Sequence, residues 1–256
     1  MYALITGASK GIGKEIAVEL AKQKYDLLLV ARSEGLLRQV AIEIHEKYGV
    51  QVQYLSVDLA SVDVARQVFD WVEKNQFQVS VLVNNAGYGA VGNFDTYTIE
   101  QNRDMMNLNM ATLTEMCHVF LPMLKRQPKA YIMNIASSTA YQALPRMAVY
   151  AATKIFVLNF SRALKYELKD TSVSVTCISP GATDTGFNDR ASVPDKARKA
   201  AEKVAMTPQE VAKISVEGMF AKKTEVIPGF LNKLGAFLAW IAPKAITENV
   251  AAGIYQ

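Results

Sequence analysis

Two residues one helical turn apart could carry acid–base chemistry. Tyr150 and Lys154 lie in a segment with a helical pattern, so their side chains share one face of the helix. A tyrosine hydroxyl titrates at about pH 10 and is a poor proton donor or acceptor at neutral pH. A neighbouring ammonium group favours the phenolate and lowers the pKa of the phenol. The pair could therefore give a proton to a carbonyl oxygen, or take one from an alcohol.

A serine could complete this group. Ser137 precedes Tyr150 and follows a strongly apolar run. Its hydroxyl could polarise the same carbonyl oxygen and stabilise the charge that develops there. Ser138 is the competing candidate. Because a Tyr/Lys pair at this spacing is common, the interpretation depends on a second site in the same chain.

A glycine-rich segment near the start of the chain could hold a phosphate. It lies between the first predicted strand and the first predicted helix, and reads Thr6-Gly7-Ala8-Ser9-Lys10-Gly11-Ile12-Gly13. Glycines permit a tight turn and allow a pyrophosphate to approach the backbone. The start of the helix adds free N–H groups and the positive end of the helix dipole. A purely structural turn is the alternative interpretation.

The end of the second predicted strand indicates which dinucleotide would bind. Proteins that bind NAD place an acidic residue there, on the ribose 2′-hydroxyl, but this strand ends with Arg32. An arginine suits a 2′-phosphate, which it can hold through charge-assisted hydrogen bonds. Lys10 is unfavourable at a helix start unless an anion lies nearby. The cofactor is therefore predicted to be NADP (NADPH), although Glu34 argues for NAD.

These residues fall among alternating strands and helices. Apolar runs predict strands at 3–6, 27–31, 51–57, 79–84, 130–136 and 173–179, with 225–227 as a short last strand. Helical patterns cover 11–24, 34–47, 61–75, 99–125, 149–169 and 208–222, with Ser33 and Ser61 as candidate N-caps. Strands that are apolar on both faces suit a covered parallel sheet. We predict an α/β fold: a single-domain doubly wound parallel sheet (Rossmann-like) with helices on both faces.

Composition excludes several classes of protein. With 256 residues, 50% of them apolar and 20% charged, the chain is neither disordered nor a coiled coil. A net charge of +4 is too small for a nucleic-acid footprint, and two cysteines and two histidines provide neither a disulfide framework nor a metal site. Neither a signal peptide nor a membrane span is predicted, so we expect a cytoplasmic protein.

The motifs together resemble the short-chain dehydrogenase/reductase family. The glycines follow the pattern Gly-x-x-x-Gly-x-Gly, and further matches come in order: Asn84-Asn85-Ala86-Gly87, Asn109, Ser137, Tyr150-x-x-x-Lys154 and Pro180-Gly181. The sequence looks closest to a bacterial NADP-preferring branch that is similar to hydroxysteroid and 3-ketoacyl reductases. The resemblance implies hydride transfer between nicotinamide and an apolar ketone or secondary alcohol. A catalytically idle NADP-binding regulator or scaffold is the alternative, although the Ser/Tyr/Lys set is complete.

The resemblance also implies roles for the matching residues. Tyr150 would be the acid–base group, Lys154 would also hold the nicotinamide ribose, and Ser137 would take the serine position of a Ser-x-x-Gly pattern in which Ala140 replaces the glycine. Asn109 would bend its helix and hold a water leading to the lysine, with Asn107 as the alternative. The cofactor-binding set would be Gly7, Ser9, Lys10, Gly11, Ile12, Gly13, Arg32, Asp58, Leu59, Asn85, Ala86, Gly87, Tyr150, Lys154, Pro180, Gly181, Thr183 and Thr185.

Two members of that set have open alternatives. Asp58 would bond the adenine amino group, but it could equally cap the helix predicted to start at Ser61. Thr185 would meet the nicotinamide carboxamide, with Thr183 close to it. Two related enzyme classes fit less well: sugar-nucleotide epimerases usually have a larger C-terminal domain, and enoyl reductases separate the tyrosine and lysine by more residues.

The variable parts of the chain should determine the substrate. We predict one dinucleotide-binding oxidoreductase domain over 1–256, in which 186–256 contains the substrate loop and an apolar tail. Candidates for an apolar pocket wall are Tyr88, Phe94, Tyr141, Leu144, Met147 and Phe187. Relatives pair helices across a two-fold axis, so a homodimer or homotetramer is expected, with these interface candidates: Met105, Met106, Met116, Phe120, Phe156 and Phe160.

The tail carries one apolar stripe at helical spacing, formed by Phe230, Leu231, Leu234, Phe237, Leu238 and Ile241. Packing of this stripe against the rest of the domain is the simplest interpretation. A substrate lid, a dimer contact and attachment to a membrane surface are the alternatives.

Overall fold

The protein, seen here as a computed structural model, is described for residues 1–185, 191, 198 and 204–255. Its strands are β1 (Tyr2–Thr6), β2 (Asp26–Ala31), β3 (Val52–Ser56), β4 (Val79–Asn84), β5 (Ala130–Ile135), β6 (Val173–Ile178) and β7 (Glu225–Val226). Its α-helices are α1 (Gly11–Lys22), α2 (Glu34–Tyr48), α3 (Val64–Lys74), α4 (Ile99–Met106), α5 (Thr112–Lys125), α6 (Ala148–Glu167), α7 (Pro208–Phe220), α8 (Phe230–Ile241) and α9 (Lys244–Tyr255). The predicted fold class is confirmed.

All seven strands form one parallel sheet in the order β3-β2-β1-β4-β5-β6-β7. The strand order reverses between β1 and β4, which opens a crevice at the carboxyl ends of these strands. Ligands of doubly wound sheets bind at such a reversal. The glycine-rich segment follows β1 at this point, so the topology places it at the crevice.

Alternating side chains of the strands feed two separate cores. Leu4 of β1 packs with Val68 of α3 and Phe120 of α5 on one face of the sheet. Its neighbour Ile5 packs with Leu20 of α1 on the other face. Because the central strands are apolar on both sides, the sheet needs cover on both faces, and helices provide it. Both cysteines are free and buried, as small core residues.

Some predicted helix boundaries need correction. Helix α3 begins at Val64 behind Asp63, a residue with a left-handed φ of 58°, so Ser61 is not its N-cap. Ser33 does occupy the N-cap of α2, but without a side-chain hydrogen bond at the cap. The predicted helix over 99–125 is interrupted by a π-helical turn at Asn107–Ala111. Among the described residues, no helix has both the length and the apolarity needed to cross a bilayer.

Candidate active site

A cleft of about 450 Å³ lies at the carboxyl ends of the strands where their order reverses. Every residue of the predicted cofactor-binding set lines it, together with Ser137. These residues come from parts of the chain as far apart as Gly7 and Thr185. They meet because the parallel sheet brings the carboxyl ends of its strands to one edge. Of the predicted site residues, only Asn109 lies behind the cleft wall, with 1% of its surface exposed.

The glycine loop closes against the start of α1 so tightly that side chains are excluded. Gly7 and Gly11 have left-handed φ angles of 66° and 59°. A Cβ atom on Gly13 would lie 2.4 Å from the Gly7 carbonyl oxygen. The first turn of α1 contains no acidic residue, and Lys10 occupies its N-cap position without a side-chain hydrogen bond there. Free amides, a positive dipole end and a cation suit a bound pyrophosphate.

Hydrogen bonds from the end of β4 hold this loop in place. The Thr6 hydroxyl accepts hydrogen bonds from the backbone N–H groups of Asn85 at 2.9 Å and Ala86 at 3.0 Å. The Asn85 side-chain amide donates to the carbonyls of Thr6 and Gly7 at 2.9 and 3.2 Å. Asn85 therefore supports the loop through its side chain. Thr6 has the same function, and the sequence motif alone did not single it out.

The basic residue at the end of β2 faces an acidic one across the cleft rim. The Arg32 guanidinium lies 3.8 Å from an Asp58 carboxylate oxygen, and both side chains are about half exposed. The other carboxylate oxygen of Asp58 accepts a hydrogen bond from the backbone N–H of Ala60 at 3.1 Å. Asp58 thus caps a local turn, and the alternative that it caps the helix after Ser61 is wrong, because that helix starts at Val64.

Tyr150 and Lys154 lie on the cleft-facing side of α6. The Lys154 Nζ atom is 5.7 Å from the centroid of the Tyr150 ring and donates a hydrogen bond to the Ile135 carbonyl at 2.9 Å. Only 5% of the lysine surface is exposed. Burial lowers the pKa of Lys154 to about 8, because the charged form loses hydration. A cation held next to the phenol in this way favours the phenolate of Tyr150.

Ser137 lies at the end of β5 and begins a short 3₁₀ turn at Ser138–Tyr141. Its Oγ accepts a hydrogen bond from the Thr139 N–H at 3.2 Å, which leaves its own proton available for donation. The Ser138 N–H donates to the Pro180 carbonyl at 2.7 Å and fixes the turn against the end of β6. Ala140 has no positive φ, so the turn does not require the family's glycine there. Ser138 also lines the cleft.

Asn109 lies at the middle of the π-helical turn, where the family resemblance implies a bend in the helix. Its Oδ1 accepts a hydrogen bond from the Tyr88 N–H at 3.1 Å, and its Nδ2 donates to the Tyr88 carbonyl at 2.9 Å and the Thr153 hydroxyl at 3.0 Å. A Cβ atom on Gly87 would lie 3.0 Å from Asn109 Oδ1 and 3.4 Å from Lys154 Nζ. Asn109 therefore joins the segment after β4 to α6, whereas Asn107 is exposed.

A buried polar network beneath the cleft was not found from the sequence. The Asn84 amide donates to Asn134 Oδ1 at 2.9 Å, and the Asn134 amide donates to the Ser161 hydroxyl at 3.0 Å. This chain of bonds joins β4, β5 and α6, which carries Tyr150. An asparagine within the otherwise apolar segment at 130–135 is the sequence signal that could have revealed it, since buried amides require partners.

The predicted apolar wall is only partly correct. Tyr88 and Met147 line the cleft, but Leu144 is buried beside Met147 and Phe94 is 68% exposed away from it. The Tyr141 hydroxyl donates a hydrogen bond to Glu225, and the pKa of this tyrosine is raised first by burial and then by that bond. It therefore points towards the edge strand β7. Phe187 lies outside the described residues.

Known proteins resemble this chain along most of its length. A family model described as short chain dehydrogenase matches residues 1–196. The chain belongs to the short-chain dehydrogenase family, as its motifs predicted.

Individual relatives extend the similarity over most of the chain. Hydroxysteroid dehydrogenase-like protein 1 of Gallus gallus is 33% identical over 70% of this chain and 54% of its own length. The 7beta-hydroxysteroid dehydrogenase of Clostridium sardiniense is 29% identical over 91% of this chain and 87% of its own length. A short-chain dehydrogenase from Sphingobium yanoikuyae, solved in complex with NADPH, has a TM-score of 0.82 and 28% identity, covering 95% of this chain and 97% of that one. The chain thus spans about half the length of the Gallus gallus protein.

Proposed function

We propose that the protein is an NADP-dependent oxidoreductase that transfers a hydride between the nicotinamide and an apolar ketone or secondary alcohol. The observation that carries this proposal is the meeting of Ser137, Tyr150 and Lys154 in the cleft that also contains the glycine loop. An idle regulator would need none of these three side chains. When bound, the cofactor supplies or accepts the hydride.

The side chains of this protein provide the proton and the positioning. In reduction, the Tyr150 hydroxyl gives its proton to the substrate's carbonyl oxygen, while the Ser137 hydroxyl donates a hydrogen bond to the same oxygen. The Lys154 ammonium stabilises the phenolate that remains and would hold the ribose hydroxyls. The Ile135 carbonyl holds Lys154, and Asn109 ties α6, the helix that carries this lysine, to the segment after β4. In oxidation of an alcohol, the proton moves in the opposite direction.

The preference for NADPH over NADH should depend on Arg32. The cleft has Arg32 and Lys10 at its adenosine end, where they would hold the 2′-phosphate, and a relative with this fold was solved with NADPH. We expect Arg32→Ala to weaken NADPH binding about tenfold or more, and NADH binding very little, because one charge-assisted phosphate contact is lost. Fluorescence titration of both cofactors against wild type and variant measures this. Equal or tighter NADH binding by the wild type would contradict the NADP assignment.

The substrate proposal rests on the wall of the cleft. Tyr88, Leu108 and Met147 provide its apolar surface, and the relative from Clostridium sardiniense is a hydroxysteroid dehydrogenase. The decisive experiment is a panel of ketones with NADPH and of alcohols with NADP, followed by cofactor absorbance. Turnover should favour bulky apolar compounds over free sugars. Turnover restricted to sugars would reject the substrate class, and no turnover of any compound would favour the regulator.

We also propose that the chain forms a homodimer or homotetramer. Of the predicted interface residues, Met105, Met116 and Phe120 are buried in the chain's own core, so those three expectations were wrong, whereas Phe160 is half-buried and stays a candidate. Ile155, Phe156 and Met106 remain exposed on α6 and α4. Light scattering should give a particle mass that is a multiple of the 28.2 kDa chain mass. Phe156→Glu should lower this measured mass, because it places a charge on the exposed apolar surface of α6. A wild-type monomer would refute this assembly.

The two remaining expectations concern organisation and location. The chain would work as one dinucleotide-binding unit in which 186–256 supplies the substrate loop and the tail, although most of 186–203 lies outside the described residues. Its free, buried thiols support a cytoplasmic location, since such thiols persist in a reducing compartment.

A further inference from the structure

Helix α8 turns its bulky apolar side chains away from the protein. Ala236 and Ala239 are buried against the protein, and Asn232 lies directly against Gly181. The opposite face is the α8 stripe, whose six side chains are between 41% and 76% exposed: Phe230, Leu231, Leu234, Phe237, Leu238 and Ile241. Packing of the stripe against the domain is therefore wrong. A surface helix normally has the reverse arrangement, with its polar face outward.

Such a surface requires an apolar occupant. Contiguous exposed apolar patches are rare on soluble proteins and mark contacts with partners or membranes. Twelve residues of helix extend for about 18 Å, so one helix face provides much less than the roughly 800 Å² per partner of a standard protein interface. Attachment to a lipid surface does not require an interface of that area, because a helix can insert one apolar face among the acyl chains.

The charges around α8 select the kind of lipid. Between residues 226 and 247 the sequence contains Lys233 and Lys244 and no acidic residue. Lys233 is exposed beside the stripe, and Trp240, 74% exposed, lies on the same side of the helix. Lysine and tryptophan at the margin of an apolar face are typical of helices that lie in the headgroup region of anionic membranes. We propose that the α8 stripe attaches the protein to the surface of an anionic lipid bilayer.

This attachment would place the cleft next to the membrane. Helix α8 packs on the 3₁₀ turn that follows Ser137, and its Asn232 touches Gly181 at the cleft. An apolar substrate dissolved in the bilayer would then have a short path to the catalytic residues. That consequence rests on the proposed function, whereas the attachment itself does not.

Co-sedimentation of the full chain with vesicles tests the attachment without any enzymatic assay. Vesicles of phosphatidylcholine mixed with phosphatidylserine should bind the protein more strongly than phosphatidylcholine alone, and added salt should weaken binding. Replacing Leu234 and Phe237 with serine should lower the partition coefficient by at least about tenfold, since two inserted side chains are lost. The matched control replaces Leu36 and Ile42 of α2, which are comparably exposed, with serine.

Fluorescence shows whether α8 itself enters the lipid. Trp71 and Trp240 are the two tryptophans of the chain, so Trp71→Phe leaves Trp240 as the reporter. Its emission should shift to shorter wavelength on mixed vesicles. The proposal would be overturned if the wild type did not bind mixed vesicles, or if the α2 control lost as much vesicle binding as the α8 variant. It would also be overturned by a wild-type oligomer without lipid that the two serine substitutions on α8 dissociate, because the stripe would then contact a second copy.

Discussion

Replacing Tyr150 with phenylalanine is expected to lower turnover by about 10²–10⁴-fold, the usual contribution of a positioned acid–base group. The substitution removes only the hydroxyl, and the ring is 7% exposed against the cleft wall, so packing should change little. Binding of NADPH should remain nearly unchanged, because Lys154 and the glycine loop are intact. Stopped-flow turnover and cofactor titration on the same preparation measure the two effects separately.

Tyr166→Phe is the matched control for this experiment. Tyr166 lies on the same helix, α6, but it is 71% exposed and outside the cleft. The control should retain wild-type turnover. Near-normal turnover in Tyr150→Phe would remove this tyrosine from the mechanism, and a parallel loss of NADPH binding would show that its main contribution is to the cofactor site.

Local spacing predicted the Tyr150/Lys154 pair and the glycine loop, and the family resemblance supplied most of the other residues of the cleft. Tyr150 and Lys154 share a face because they are one helical turn apart, and the glycine loop follows the first strand directly. Their meeting in one cleft then follows from a parallel sheet, which brings the carboxyl ends of its strands to one edge. The sequence therefore predicted both the residues that line the cleft and the architecture that positions them.

Contacts between distant segments could not be predicted in this way. The bond from Asn85 to Thr6 joins residues 79 positions apart, and the bond from Asn134 to Ser161 joins residues 27 apart. Periodicity likewise predicts that one face of a helix is apolar, but not whether that face turns inward. Phe120 turned out to be buried in the core of its own chain, while Phe237 is exposed. Only tertiary packing decides between these outcomes.

The second large effect concerns Lys154, whose burial should make the stability of the cofactor-free protein depend on pH. The pKa of this lysine is lowered to about 8 in the folded state, against about 10.4 for an unperturbed lysine. Between these values the unfolded chain binds more protons than the folded one. The free energy of unfolding should therefore rise with pH across this window, by up to about 3 kcal/mol, and the contribution should be constant below it.

Comparison of the wild type with Lys154→Met isolates this contribution. The variant cannot titrate at this position, and turnover should fall by orders of magnitude because the phenolate of Tyr150 loses its cation. It also leaves the Ile135 carbonyl without its donor, a penalty that does not change with pH. Urea unfolding at a series of pH values should thus show the wild type gaining stability relative to the variant only above about pH 8.

Lys169→Met is the control for this experiment. Lys169 lies at an exposed position just beyond the end of α6, so this variant should follow the wild-type pH profile. The difference in unfolding free energy between the wild type and Lys154→Met could instead stay level up to pH 10. That result would mean that the Lys154 ammonium is hydrated in the folded protein, and that the cleft holds this cation without a desolvation penalty.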